Sequence, residues 1–272
     1  MFVFPQFDPV AVAIGPISIH WYGIMYIIAF GGAWAIASYR RTKILNIWSK
    51  EQISDLVFYG AMGAVLGGRA GSVFFYNFER FLEDPIWLFR VWEGGMSFHG
   101  GFIGVLVAVY LYSRSIKKEF WETIDFVAPC VPFGLGAGRL GNFIGGELWG
   151  RPTEAPWGMV FPHVDGVARH PSQLYELALE GLLLFIIIWW FSSKPRPRMA
   201  VSGLFALCYG FFRFFIEFFR EPDMHIGFVA YNWLTMGQLL CLPMLVVGSL
   251  LLLFAYQKNL KPMPSSRIGH SD

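Results

Sequence analysis

Arginine, asparagine and glutamate side chains interrupt stretches of this sequence that are otherwise apolar. Arg139 and Asn142 follow the apolar run at 126 to 135, and Glu147 comes about one turn beyond the expected helix end. A charged side chain at the centre of a membrane helix costs roughly 2.5 to 3.5 kcal/mol even on the most lenient scale, so each needs a partner or a purpose. Because arginine binds phosphate through planar, bidentate hydrogen bonds, these residue types indicate a phosphate-bearing ligand at membrane depth.

A second set of polar residues forms one stripe of the segment 209 to 220. Tyr209, Arg213, Glu217 and Arg220 fall at i, i+4, i+8 and i+11, and six phenylalanines cover the remaining faces. On a helix this spacing places the four side chains on one side, which must face protein or water. Arg213 and Glu217 could simply neutralise each other or could belong to a binding site, and the sequence leaves both interpretations open.

Further candidates lie near the expected ends of other apolar stretches. His99 is flanked by glycines in GGMSFHGG, Tyr22 belongs to HWYG, and Arg69 lies within GGRAG. A histidine can act as a general base near neutral pH, although a satisfied core histidine is the simpler alternative. Tyr22 could equally be an aromatic anchor at the membrane interface. Many of the neighbouring glycines could serve helix packing alone, because small residues let helices approach closely in lipid.

The elements that must position these residues are predicted to be membrane helices. The 272-residue chain is 55% hydrophobic and 15% charged, whereas a soluble domain has about 25% charged residues. A helix of about 20 apolar residues crosses a hydrocarbon core of about 30 Å. The sequence therefore predicts an all-α, polytopic integral membrane protein with seven transmembrane helices. The stretches are 17 to 38, 55 to 76, 95 to 113, 122 to 144, 174 to 193, 200 to 220 and 236 to 257.

The basic residues predict how these helices are oriented. The segments after the first, third, fifth and seventh stretches contain 13 of the 21 Lys and Arg residues, and those on the opposite side contain five. Because Lys and Arg are enriched in cytoplasmic loops, the N-terminus is predicted to be periplasmic and the C-terminus cytoplasmic. The candidate residues then collect in the outer half of the membrane. We expect a single transmembrane catalytic domain over 1 to 272, with periplasmic interfacial segments at about 77 to 94 and 147 to 173.

Six motifs together resemble the prolipoprotein diacylglyceryl transferase family of bacteria. They are HWYG at 20 to 23, GGRAG at 67 to 71, GGMSFHGG at 94 to 101, GLGAGRLGNFIGGELWGRP at 134 to 152, RHPSQLYE at 169 to 176 and YGFFRFFIEFFREPD at 209 to 223. The resemblance runs from about Phe7 to Tyr256, and the long motif around Arg139 is the most specific. One departure is Gly145, where many family members have Asn, and it concerns a secondary polar contact.

The resemblance implies a reaction in the bacterial inner membrane, with the site toward the periplasmic leaflet and membrane lipids around it. The diacylglyceryl group of phosphatidylglycerol would pass to the lipobox cysteine thiol of a preprolipoprotein signal peptide, forming a thioether and releasing glycerol phosphate. No metal, no other cofactor and no nucleic-acid partner is expected. The resemblance matches Arg139, Arg213 and His99 to catalytic residues. Its other site residues are Tyr22, Asn142, Glu147, Gly150, Tyr209 and Glu217. Arg69 is added as a substrate-binding guanidinium expected at the same depth.

General chemistry suggests what the central groups would do. A cysteine thiol, with a pKa of about 8.5, attacks only as the thiolate, so His99 is the candidate base. Arg139 and Arg213 would bind the phosphate and stabilise the charge of the leaving group, and Glu217 would hold Arg213 in place. The alternatives are another phospholipid-using transferase and, less economically, a transporter, which would place polar groups along a path through the whole bilayer.

Overall fold

A computed structural model of the chain describes residues 2 to 15, 17 to 43, 47 to 222, 227 to 258 and 260. The described chain is mostly helical, which confirms the predicted helical membrane protein in its coarse form. Lys261 and Arg267, which contribute to the predicted orientation, lie outside these residues.

The helices occupy most of each predicted apolar stretch. They are α1 (Trp21–Lys43), α2 (Lys50–Tyr76), α3 (Phe78–Glu83), α4 (Phe98–Ser115), α5 (Phe120–Val127), α6 (Val131–Ile144), α7 (Ser172–Ser192), α8 (Ala200–Ile216) and α9 (Met236–Gln257). Turns of 3₁₀ helix occur at Pro85–Phe89, Val91–Glu93 and Ala128–Cys130. Among the described residues, α1, α2, α7 and α9 are long and apolar enough to cross a membrane. Seven crossings and the orientation remain predictions.

Short strands accompany the helices. β1 (Phe2–Val3) runs parallel to β4 (Met159–Val160), which is antiparallel to β5 (Ala168–Arg169). Hairpins join β2 (Val10–Ile14) to β3 (Ile17–His20) and β6 (Phe228–Ala230) to β7 (Leu234–Thr235).

The prediction that the first helical stretch begins at residue 17 was wrong. Residues 17 to 20 form β3, and α1 begins at Trp21. Ser18 pairs with Ala13, and His20 pairs with Val10. This strand pairing takes the place of the first helical turn, and the helix starts only where the ladder ends.

Two polar residues explain where α2 and α9 begin. The Ser49 hydroxyl accepts a hydrogen bond from the Gln52 amide at 3.1 Å, while the Ser49 amide donates to the Gln52 side chain at 3.0 Å. Thr235 and Gln238 repeat this arrangement at the start of α9. Both are capping boxes, which satisfy amide donors that have no partner within the helix.

The described chain divides into two compact units, and the first comprises residues 37 to 124. Its central feature is the packing of α2 against α4. A Cβ atom added to Gly67 would lie 2.4 Å from the Gly100 carbonyl oxygen, and one added to Gly104 would lie 2.1 Å from the Gly63 oxygen. Side chains at these positions would force the helices apart, so helix packing accounts for these glycines.

The second unit comprises residues up to 36 and those from 125 onward within the described chain. α6 crosses α7 where a Cβ added to Gly181 would lie 2.9 Å from Gly136 Cα. α8 crosses α9 where a Cβ on Gly248 would lie 2.8 Å from the Gly203 oxygen. A buried apolar cluster lies beside these crossings and consists of Ala128, Leu184, Ile188 and Val201.

The carboxylate of Asp125 fixes the start of α8. It is fully buried and accepts hydrogen bonds from the Met199 amide at 2.7 Å and the Ser202 amide at 2.8 Å. An anion at a helix N-terminus satisfies otherwise unpaired amides and favours the helix dipole. This contact joins the first turn of α8 to the Asp125 carboxylate of α5.

Candidate active site

The crossing of α6 and α7 brings Arg139 against two glutamates. Arg139 follows the close-packed Gly136 by one helical turn, and Glu180 precedes the other crossing residue, Gly181. The Arg139 Nε atom lies 3.1 Å from Glu176, and its Nη2 atom lies 3.4 Å from Glu180. Arg139, which was predicted to need a partner in the membrane, therefore pairs with two glutamates of the neighbouring helix.

A local irregularity of α7 begins directly after Glu176 and includes Glu180. The helix has a π-helical stretch at Leu177–Leu183, and the side chains of Glu176 and Glu180 are both fully buried. Such π segments are rare in helices and often occur at functional sites. Neither Glu176 nor Glu180 was among the predicted site residues, although Glu176 ends the RHPSQLYE motif. The spacing of four between Glu180 and Glu176, within an apolar stretch, is the signal that could have found Glu180.

Arg213 on α8 contacts glutamates of two segments. Its Nη1 atom contacts Glu176 and lies 3.9 Å from Glu180, while Nη2 lies 2.5 Å from Glu217. Glu176 is consequently shared between Arg139 and Arg213. The structure therefore brings together the two arginines that sequence analysis assigned to catalysis, and it does so around a common carboxylate.

Glu217 also links the end of α8 to the beginning of α9. One carboxylate oxygen lies 3.1 Å from Arg220, and the other accepts a hydrogen bond of 2.6 Å from the Thr235 hydroxyl. A Cβ on Gly237 would lie 2.5 Å from the Glu217 carboxyl carbon, so only glycine leaves room for this carboxylate. The predicted contact between Glu217 and Arg213 is present as part of this junction.

We call these charged residues the arginine–glutamate cluster. Its members are Arg139, Glu176, Glu180, Arg213, Glu217 and Arg220. The cluster has as many arginines as glutamates, so the formal charges balance, and electrostatic attraction is stronger here than in water because the site is buried. The side chains of Arg139 and Arg213 remain 19% and 13% exposed. Both guanidinium groups are shared with the carboxylates of the cluster.

Three other predicted residues lie in the same unit as the cluster. Tyr209, one turn before Arg213 on α8, stacks on Phe205 with the ring centroids 6.0 Å apart. The ring of Tyr22 packs on α6, where a Cβ added to Gly141 would lie 3.3 Å from it. Asn142, the next residue, is buried.

The loop after α6 contains the predicted residues Glu147 and Gly150. The Glu147 carbonyl accepts a hydrogen bond of 2.5 Å from Gln173, whereas the residue itself is exposed. A Cβ on Gly150 would lie 2.5 Å from the carbonyl oxygens of both His170 and Phe219. Gly150 therefore allows three backbone segments to meet, and its predicted place in the substrate site stays a prediction.

Two arginines outside the predicted site hold this loop in place. Arg151 donates to the carbonyls of Arg220 at 2.8 Å and Glu217 at 3.0 Å. Arg169 donates to the Gly150 carbonyl at 3.1 Å and pairs with Glu221 at 3.0 Å. Arg169 also pairs locally with Asp165, but the contacts that hold the loop join distant residues, so no local motif predicts them.

His99 and Arg69 belong to the unit of residues 37 to 124. His99 is exposed in the first turn of α4, so it is not a core histidine. Arg69 is buried and donates to five backbone carbonyls, those of Trp87, Leu88, Arg90, Gly94 and Gly95. All three nitrogens of its guanidinium thus donate to the protein backbone, and the predicted role of Arg69 in substrate binding stays a prediction.

The fold and site define a multi-pass helical membrane protein with a buried arginine–glutamate cluster. Residues 9 to 254 match the family model described as "Prolipoprotein diacylglyceryl transferase". The chain belongs to the prolipoprotein diacylglyceryl transferase family, which confirms the resemblance indicated by the six motifs.

Similar proteins named "Phosphatidylglycerol--prolipoprotein diacylglyceryl transferase" occur in several bacteria. The protein of Ectopseudomonas mendocina is 58% identical over 260 residues, which cover 95% of this chain and 98% of the relative. That of Pseudomonas putida is 56% identical over 268 residues, covering 97% and 100%. That of Teredinibacter turnerae is 58% identical over 267 residues, covering 94% and 93%.

Proposed function

We propose that this chain is a transferase that moves the diacylglyceryl group of phosphatidylglycerol to the cysteine thiol of a prolipoprotein. The observation that carries the proposal is the family match across residues 9 to 254. In the reaction a carbon–sulfur bond forms, the carbon–oxygen bond to the headgroup phosphate breaks, and the thiol proton passes to a base. The products are a thioether-linked diacylglyceryl protein and glycerol phosphate.

Arg139 and Arg213 are proposed to bind the phosphate of the lipid. Both are held beside Glu176, and both retain an exposed part. Two permanently charged guanidinium groups suit a phosphate that gains negative charge as it leaves, because they stabilise the transition state more than the ground state. Glu217 would keep Arg213 oriented during this step.

The remaining predicted residues are assigned by resemblance and chemistry. His99 is the proposed base for the thiol, which must lose its proton to become a nucleophile. Tyr22, Asn142, Glu147 and Tyr209 are proposed to line the site. Arg69 and Gly150 are left out of this set because of the contacts described above.

The proposed setting is the bacterial inner membrane, with the reaction on the periplasmic side. Seven crossings are proposed, and the bias of Lys and Arg supports a periplasmic N-terminus and a cytoplasmic C-terminus. In this arrangement the chain acts as one catalytic domain, and the segments 77 to 94 and 147 to 173 lie at the headgroup level. The second substrate would be a membrane-bound signal peptide containing the lipobox cysteine.

The test uses the purified protein in detergent with phosphatidylglycerol and a lipobox peptide. Mass spectrometry of the peptide should show a diacylglyceryl adduct on cysteine, and a Cys→Ser peptide should show none. Arg139→Ala should abolish the adduct, whereas Arg114→Ala should retain it, because Arg114 is exposed and contacts Tyr110 at 3.4 Å.

Two other results would change the proposed acceptor or contradict the proposed activity. An adduct on a different acceptor would identify another phospholipid-using transferase. If folded wild-type protein leaves both lipid and peptide unchanged, the proposed activity is wrong.

A further inference from the structure

The guanidinium of Arg69 closes a turn of the chain that lies between α3 and α4. Its Nε atom donates to the Leu88 carbonyl at 3.0 Å, and Nη2 donates to Arg90 at 3.0 Å and also to Trp87. Nη1 donates to Gly94 and to Gly95, the latter at 3.3 Å. Each nitrogen of one side chain therefore binds backbone within residues 87 to 95, which we call the clamped turn.

The packing of Trp87 on Arg69 and the backbone angles of Gly94 and Gly95 also support the clamped turn. The Arg69 guanidinium lies 4.1 Å from the centre of the Trp87 ring, a cation–π contact. Gly94 and Gly95 adopt φ angles of 80° and 75°, which disfavour residues with a side chain. A Cβ on Gly95 would also lie 3.1 Å from Arg69 Nη1. The glycines therefore allow the carbonyls of the clamped turn to point at one arginine.

Lysine could not replace this arginine. A guanidinium has five N–H donors in a planar fork, whereas an ammonium has three donors on a single nitrogen. A buried lysine would leave carbonyls unsatisfied, and each unsatisfied polar group costs about 1 to 3 kcal/mol. If Arg69 only attracted a phosphate headgroup through its charge, replacement by lysine would cost less.

The clamped turn leads directly into the helix that carries His99. The Ser97 amide donates to the Gly68 carbonyl at 2.8 Å, next to Arg69 in α2. The Ser97 hydroxyl then accepts from the Gly100 amide at 3.2 Å and caps α4. Arg69 and Gly68 thus fix the chain immediately before the first turn of α4, where His99 lies.

We propose that Arg69 is a positioning residue, which holds the clamped turn so that the start of α4 presents His99 in one orientation. This inference rests on the proposed function, because it concerns the placement of the candidate base. It assigns Arg69 no contact with the lipid headgroup.

The test compares Arg69→Lys and Arg69→Gln with the matched control Arg80→Lys. Arg80 lies 4.3 Å from the same Trp87 ring, but its side chain is 54% exposed and pairs with Glu93. Steady-state kinetics in detergent would give kcat and the KM for phosphatidylglycerol. Hydrogen exchange would report protection of residues 85 to 97, with α8 as the internal reference.

Both Arg69 variants should lower kcat by about ten- to a hundredfold, the loss expected from a small displacement of a reacting group. The KM for lipid should stay within about twofold, since uniform substrate binding is retained. Residues 85 to 97 should exchange faster, exchange in α8 should not change, and Arg80→Lys should resemble wild type. If Arg69→Gln does not fold, Gly95→Ala should show the same loss of kcat at unchanged KM.

Another outcome is that Arg69→Gln raises the KM for phosphatidylglycerol, Arg69→Lys restores it, and residues 85 to 97 keep their normal protection. That result would indicate headgroup binding by Arg69 and overturn the proposal. Unchanged exchange in both variants would overturn it as well. If wild-type protein transfers no lipid, the proposed function fails separately. The exchange experiment then still decides whether Arg69 holds the clamped turn.

Discussion

The guanidinium of Arg213 lies 2.5 Å from the carboxylate of Glu217, four residues later and just past the end of α8, and it also contacts Glu176 of α7. Glu176 in turn lies 3.1 Å from Arg139 of α6. The positions of the two arginines are therefore coupled through shared carboxylates. Changes to the glutamates should consequently affect catalysis even where no substrate touches them.

Replacing Glu217 by Gln should impair both stability and transfer. Glutamine keeps an oxygen for the Thr235 hydrogen bond but removes the negative charge beside Arg213 and Arg220. Breaking a buried ion pair from one side costs about 3 to 5 kcal/mol. We expect a lower melting temperature and slower transfer. The control is Glu221→Gln, because Glu221 is 38% exposed and pairs with Arg169. Equal melting temperatures for the two variants would contradict the prediction.

The two glutamates of α7 should differ in importance. Glu176 contacts both arginines closely, whereas Glu180 lies 3.4 Å from Arg139 and 3.9 Å from Arg213. Glu176→Gln should therefore reduce kcat/KM more than Glu180→Gln, by at least about tenfold, or 1.4 kcal/mol. Kinetics of both variants at one pH would measure this ratio. A larger loss in Glu180→Gln would show that the contact distances do not rank the two roles.

Gly150→Ala should destabilise the loop after α6. The added methyl group would meet the carbonyls of His170 and Phe219 at 2.5 Å, so the backbone would have to shift. Gly31→Ala in α1 is the matched control, because no atom lies within 4 Å of its added Cβ. A helical alanine is favoured over glycine by about 0.5 to 1 kcal/mol. Thermal unfolding should show a clear loss for Gly150→Ala and none for Gly31→Ala; equal curves would refute the packing role.

His170 lies in a loop outside the membrane-spanning helices, and it should make the stability of the protein depend on pH. Burial lowers the pKa of its imidazole, whose ring packs against Tyr175 and Phe219. Because the unfolded chain binds the proton more tightly, the free energy of unfolding should fall as the pH drops from about 6.5 through the lowered native pKa. Melting temperatures of wild type and His170→Gln between about pH 8 and 5 would test this. Parallel curves for the two proteins would contradict the prediction.

Local sequence patterns were sufficient for the helical segments and the unusual polar residues. Apolar stretches long enough to span a membrane mark the helices, because lipid requires each spanning backbone to satisfy its own hydrogen bonds. The spacing along residues 209 to 220 correctly grouped Arg213, Glu217 and Arg220, although α8 itself ends at Ile216. The first stretch was misassigned at its start, because β2 lies before it and pairs with residues 17 to 20. The third, predicted from residue 95, was also placed too early, because α4 begins at Phe98.

The partners of these polar residues depended on tertiary structure. Glu180 joins the cluster because α6 and α7 cross at Gly136 and Gly181, a contact between residues far apart in the chain. Likewise, Arg69 has a sequence context suited to a ligand site, but the turn after α3 folds back onto it. The sequence by itself determined which residues need partners in lipid, because charge and hydrophobicity are local properties. Only the packing of helices and loops decided which partners they have, since those contacts join distant segments.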